Sequence, residues 1–113
     1  MHEAGLAQSL VEIVLRHAQQ AQAQRVRSVT VEVGVLASVM PQALETAFQV
    51  AVMGTTAQGA RFILVEKPGR AWCTACSRDV DVADRLAVCP QCGSGQLLLK
   101  GGEELRVLEL EVD

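Results

Sequence analysis

Four cysteines stand in two pairs, Cys73-Thr74-Ala75-Cys76 and Cys89-Pro90-Gln91-Cys92, with twelve residues between the pairs. A two-residue spacing lets both thiolates of a pair approach one metal ion from a single tight turn. Two such turns facing each other make a tetrahedral cage of sulfur, which suits zinc. Pro90 and Gly93 favour the second turn, because Pro fixes φ and Gly tolerates a positive one. Four protein thiolates leave no open position for water or substrate, so such a zinc is structural.

Other uses of the cysteines fit less well. Thioredoxin-like redox chemistry uses one such pair at a helix start after a strand. A nucleic-acid-binding ribbon needs cations, yet between the pairs Arg78 and Arg85 are set against Asp79, Asp81 and Asp84. An iron–sulfur cluster stays open on spacing alone. Trp72, beside the first ligand, reads as packing next to the cage.

These residues need elements to hold them. From Ala4 to about Gln24 the pattern is helical, with Leu6, Leu10, Ile13, Val14, Ala18 and Ala21 on one stripe. Val29, Val31, Val33 and Val35 then alternate with polar residues, as in a half-buried strand. Gly34 near its end marks a bulge or a close backbone approach. Pro41 begins a second helix, with Ser38 as a possible cap and Leu44, Ala47, Phe48, Ala51 and Val52 at helical spacing. Gly54 is its stop. Strands are expected over 61–66 and 105–112, with Leu108, Leu110 and Val112 facing one way.

The cysteines and the only tryptophan lie between those last two strands. That stretch reads as an inserted lobe of about 30 residues, below the size at which a chain folds without metal or disulfides. Metal binding is then its main folding energy. The expected architecture is α+β: two helices packed on a small three-stranded, mainly antiparallel sheet, with an inserted zinc-ribbon-like lobe. Residues 1–68 plus 102–113 form the first lobe and 69–101 the second.

Composition narrows the class. The 113 residues carry 10 basic and 13 acidic side chains, a net of -3, which argues against a nucleic-acid binder. Neither a signal-peptide pattern nor a run of about 18 apolar residues is present, so the chain reads as cytoplasmic, where cysteines bind metal more often than they form disulfides. No nucleophile–base set and no Gly-rich phosphate loop is visible, so an enzyme is not expected.

Taken alone, Met1-His2-Glu3 is an ordinary chain start, with Glu3 complementing the helix dipole. In combination it says more. Met1-His2-Glu3, then Leu6-Ala7-Gln8-Ser9-Leu10, the Val29–Val35 strand with Gly34, the Pro41–Phe48 helix, Gly54-Thr55, Gly59-Ala60 and the spaced cysteine pairs together resemble the HypA/HybF family of hydrogenase-maturation nickel accessory proteins. The resemblance covers essentially the whole chain. It implies a two-lobed protein that binds Ni(II) transiently through Met1, His2 and Glu3 and a structural Zn(II) through Cys73, Cys76, Cys89 and Cys92. It implies a HypB-type GTPase and the hydrogenase large subunit as partners, with urease maturation proteins served in some organisms, and a monomer or homodimer. Position 5 is Gly where the family more often has Ser, and the cysteine lobe has none of the histidines some members carry there.

Coordination chemistry agrees with the nickel assignment. The Met1 amine, the His2 amide nitrogen and the His2 imidazole can close five- and six-membered rings on one ion. Strong-field nitrogens in a plane suit square-planar Ni(II) or Cu(II). A fourth donor must come from the Glu3 amide, another group or a partner. Binding of this kind weakens as pH falls, since it needs neutral imidazole and the loss of amide protons. An exposed, moderately tight site is expected of a carrier that must release its cargo. His17, the other histidine, reads as a solvated or partly packed helix residue. The alternative function is a zinc-ribbon interaction or regulatory module without nickel.

Overall fold

The computed structural model describes residues 2–113. Two helices and six strands follow in the order α1 (His2–Gln20), β1 (Val26–Gly34), α2 (Pro41–Ala51), β2 (Arg61–Lys67), β3 (Gly69–Cys73), β4 (Arg78–Val82), β5 (Leu97–Gly101) and β6 (Leu105–Val112). The chain divides into two compact units: Met1–Glu32, Val39–Val65 and Arg106–Asp113 form one, and Val33–Ser38 with Glu66–Leu105 the other. No helix of the described residues is long and apolar enough to cross a membrane.

The first unit holds both helices and most of a sheet ordered β2-β1-β6. In α1 the buried residues Ala7, Leu10, Val11, Val14 and Ala18 recur at helical spacing and form one stripe. The helix ends at Gln20, earlier than the apolar pattern alone implied. Gln22 takes a left-handed conformation (φ 54°), and the Ala23 amide closes back on the Ala18 carbonyl at 2.9 Å, which satisfies an end carbonyl and turns the chain.

Val26, Val29, Val31 and Val33 of β1 are buried. Ser28 is the one buried polar or charged side chain among the described residues, and its hydroxyl donates to Glu111 Oε1 at 2.7 Å. The sheet is mixed. β6 runs antiparallel to β1: the Asp113 amide bonds Arg25 O at one end, and the Gly34 amide bonds Glu104 O at the other. On the opposite side β2 runs parallel to β1, since the Val26 amide meets Thr56 O and the Val35 amide meets Lys67 O. Parallel neighbours need a long crossover, which α2 supplies. Leu44 and Phe48 of α2 are fully buried, and the Phe48 ring stands 4.6 Å from that of Phe62 on β2. As the last strand on its side, β6 leaves Leu108 and Val112 partly exposed, so the apolar face expected of it is only half covered.

Pro41 does open α2, but Ser38 does not cap it. The capping position is Met40, without a side-chain cap of its own, and Ser38 sits in a left-handed turn (φ 57°). The Met40 amide is met instead by the Glu3 carboxylate.

The second unit contains an antiparallel sheet ordered β4-β3-β5. Its core joins Leu36 with Ala71, Cys73, Val80, Val82 and Cys89. Leu36 is held there by its own amide, which donates to Gly102 O at 2.7 Å, and by Arg85, whose Nη2 donates to Leu36 O at 3.0 Å. Ala71 and Cys73 point into this core, so the two-residue period of a strand sends Trp72 to the opposite face. Trp72 is 37% exposed and lies across from Leu98 and Asp79. The expectation that it packs beside the cysteines is overturned by that parity.

Candidate metal centres

The two cysteine turns are built alike. The Ser77 amide donates to Cys73 O at 2.8 Å, and the Gly93 amide donates to Cys89 O at 2.8 Å. Ser77 (φ 55°) and Gly93 (φ 79°), each following the second cysteine of its pair, both take the left-handed conformation that folds the turn back. Glycine adopts it freely at 93; Ser77 is the less comfortable copy.

These turns bring all four sulfurs together. Cys73 Sγ lies 3.6 Å from Cys92 Sγ, and Cys76 Sγ lies 3.8 Å from Cys89 Sγ. All four fall within 4.8 Å of one another. A disulfide would need about 2.05 Å. A tetrahedral zinc ion with bonds of about 2.3 Å holds its sulfurs about 3.8 Å apart, close to the 3.6 and 3.8 Å of these two pairs. This is a four-cysteine metal site, and its residues fit zinc.

The surroundings prepare the thiols unequally. Burial raises the Cys89 thiol, but hydrogen bonds from the Cys92 and Gln91 amides outweigh it and bring it down to about 7. Burial pushes Cys76 up to about 12, aided by hydrogen bonds with the neighbouring thiols. Without a metal ion, Cys89 ionises readily while Cys76 and Cys92 resist adding negative charge beside it; a dication removes that conflict. Cys73 and Cys89 are buried while Cys92 is exposed, so the site sits at the edge of its unit.

The second predicted centre is at the start of α1. His2 is exposed, and Glu3 is half-buried in the first turn. Met1, which the sequence also assigns to nickel, lies outside the described residues. The first four amides of a helix have no intrahelical acceptor, so the amide nitrogens of His2 and Glu3 can serve another purpose without breaking the helix. Glu3 Oε2 accepts from the Met40 amide at 3.1 Å. That bond, followed by one from its own amide and by the nearby His2, holds the Glu3 carboxyl below its ordinary range. His17 is exposed on α1.

Two positioning contacts had no signal in residue types. The Met40 amide is a backbone donor, invisible to composition, though Pro41 at the first helical position fixes where that donor stands. Arg85 was counted only as a charge; the structure uses it to tie Leu36 O and Glu103 to the inter-cysteine segment.

Residues 1–112 match the family described as "Hydrogenase/urease nickel incorporation, metallochaperone, hypA". Hydrogenase maturation factor HypA 2 of Bradyrhizobium diazoefficiens is 45% identical over 113 residues, covering 100% of both chains. Hydrogenase maturation factor HypA of Rhodopseudomonas palustris strain BisB5 is 47% identical over the same full length. The solution structure of the Ni metallochaperone HypA from Helicobacter pylori shares the fold, with a TM-score of 0.69 over 97% of this chain and 96% of that one, at 24% identity.

Proposed function

The chain belongs to the HypA family of nickel metallochaperones for hydrogenase maturation, a non-enzymatic accessory class, and on that footing we propose that Met1, His2 and Glu3 carry Ni(II) as a transient cargo while Cys73, Cys76, Cys89 and Cys92 hold a structural Zn(II). The observation that carries the nickel assignment is that His2 and Glu3 open α1, where amide nitrogens are free of helical bonds. His2 supplies imidazole and amide nitrogens to the ion, and Met1 its amine. The Glu3 carboxylate, bound to the Met40 amide, holds the first turn in place and sets negative charge beside a cation at the positive end of the helix dipole. The zinc, when bound, supplies the cross-link that holds the two cysteine turns face to face.

On this reading the cargo passes to the hydrogenase large subunit with a HypB-type GTPase, and to urease maturation proteins where urease is made, in the cytoplasm. GTP hydrolysis belongs to the partner. Metal content and nickel titration test the assignment, using protein with a free Met1, protein with an N-terminal extension, and His2→Ala. All three should retain one zinc, and only the first should bind nickel in the square-planar form. Equal nickel binding by the extended form or by His2→Ala would remove the N-terminal site and return the chain to a zinc-ribbon interaction module.

A further inference from the structure

Helix α2 carries two apolar stripes. The buried one is Leu44 and Phe48. The second is Met40, Ala43, Ala47 and Val50, again at helical spacing but turned outward, with Met40 67% and Val50 64% exposed. Met53, just past the helix, continues it at 65% exposure. A surface helix needs only one apolar stripe to hold it to its own core. A second stripe, half-exposed at Ala43 and Ala47 and open at its ends, holds nothing within this unit; with Gln42, Thr46 and Gln49 set between its members, it has the mixed character of a surface that receives a partner.

The stripe is also concave. A groove of about 520 Å³ lies between Met40, Ala43 and Ala47 on one side and Glu3 and Ala4 of α1 on the other. Another, of about 550 Å³, continues along Glu45, Gln49, Val50 and Met53. Small residues sit in the middle and larger, flexible ones at the ends, so an incoming backbone can approach closely while the methionines adapt around it. From Met40 to Met53 the surface is about 20 Å long, or four turns of helix.

The charge around it has one sign. Among the described residues, Glu3 and Glu45 are the only ionised side chains lining the two grooves, and α2 contains no lysine or arginine. A second copy of this face would bring the same acidic side chains and no lysine or arginine of α2, and like charges across an interface oppose pairing. We propose that this groove docks an amphipathic helix of a different protein, its apolar stripe laid along Met40, Ala43, Ala47 and Val50 and its lysines or arginines beside Glu3 and Glu45. The proposal rests on the nickel reading only for its purpose: a helix seated there lies against Glu3, so docking bears on the turn that carries the cargo.

The probe is a synthetic helical peptide of about five turns, with leucines spaced to match the stripe and lysine flanks. A second peptide keeps the leucines but has glutamate flanks. Each is titrated into zinc-loaded, isotope-labelled protein and followed by amide NMR. The lysine peptide should shift residues 3–4 and 40–53, and its Kd should rise at least about tenfold in Val50→Arg, which is surface-exposed and places a cation in the groove. The glutamate peptide should bind at least about tenfold more weakly than its lysine twin. Leu86→Arg, on an exposed residue of the other unit, should change nothing. No binding, shifts elsewhere, equal affinity for the two peptides, or full affinity in Val50→Arg would overturn the proposal. Nickel titration of Val50→Arg keeps the two readings apart. Uptake there should match wild type, and a wild type that takes up no nickel but binds the lysine peptide would sink the nickel site alone.

Discussion

Two glycine-to-alanine changes in this chain should have opposite signs. At Gly34 an added Cβ would stand 2.0 Å from Gly102 O and 2.8 Å from the Glu103 amide nitrogen. Both are backbone, and both are pinned. Gly102 O accepts from the Leu36 amide at 2.7 Å, the Gly102 amide donates to Glu104 Oε1 at 2.7 Å, and the Gly34 amide itself donates to Glu104 O at 2.7 Å. The strands must part by more than an ångström, which breaks at least two of these bonds in a buried place. With about 1 kcal/mol lost per bond and about 1–3 kcal/mol for a polar group left unpaired, Gly34→Ala should cost roughly 3–5 kcal/mol. That is a large share of a typical stability of about 5–15 kcal/mol. Gly5 lies within α1, and a Cβ there meets nothing within 4 Å. Gly5→Ala should therefore stabilise by roughly 0.5–1 kcal/mol, through helix propensity alone. Thermal melts of the zinc-loaded proteins would show Gly34→Ala falling by roughly 10–20 °C and Gly5→Ala rising by a few degrees. A Gly34→Ala protein melting within about 3 °C of wild type would refute the account of the crossing.

Other consequences follow from the same structure. Stripping the metal with a chelator, or replacing Cys89 by Ala, should abolish amide protection in β3, β4 and β5 and leave that of α1 in place, because metal binding is the folding energy expected of so small a lobe around four cysteines; hydrogen exchange reads both, and protection surviving in β3 would contradict this. The Glu104 carboxyl is held below its ordinary value, first by its own amide and then by that of Gly102. A lowered carboxyl pKa stabilises the fold above the unfolded value and loses that contribution as pH falls through the folded one. The wild type's stability advantage over Glu104→Gln should therefore be present at neutral pH and shrink below about pH 4.5, and an advantage that grew on acidification would reverse the sign. Phe48→Ala, which empties a fully buried site against Phe62, should cost about 3–5 kcal/mol in a denaturant titration.

What the sequence disclosed was local. The α1 stripe and the alternation in β1 are periodicities of a single element, and the cysteine spacing describes two turns, so each could be read from a short window. Gly34 was also legible, since a glycine near the end of a strand has few reasons to be there. What escaped depended on distant partners. Leu36 lies in a segment with no period of its own, and only the return of β3 and β4 gives it a core to enter. Trp72 was misplaced because its parity is set by Cys73, whose sulfur must point inward. The cap of α2 was sought in the nearby Ser38, but the acceptor comes from Glu3, far away in the chain. Helix caps are usually local, and here tertiary structure overrode the local choice.

The same contact bears on how a carrier lets go. A four-thiolate cage closes every position on its ion, so zinc leaves only if the lobe gives way with it. The proposed nickel donors are of the other kind. Besides the Met1 amine they are amide nitrogens and a side chain in the first helical turn, and engaging or releasing those breaks no helical hydrogen bond. A cation at that end also meets the positive pole of the helix. The acidic residue of that first turn, Glu3, is already committed to the Met40 amide. Nickel there would be bound by a chelate, opposed by the dipole and only partly neutralised. The balance favours an affinity below that of the zinc cage, with release open to any partner that offers one better donor at the exposed His2. A nickel affinity equal to that for zinc would mean that Glu3 abandons Met40 for the metal, and the Met40 amide would report it by losing its hydrogen bond.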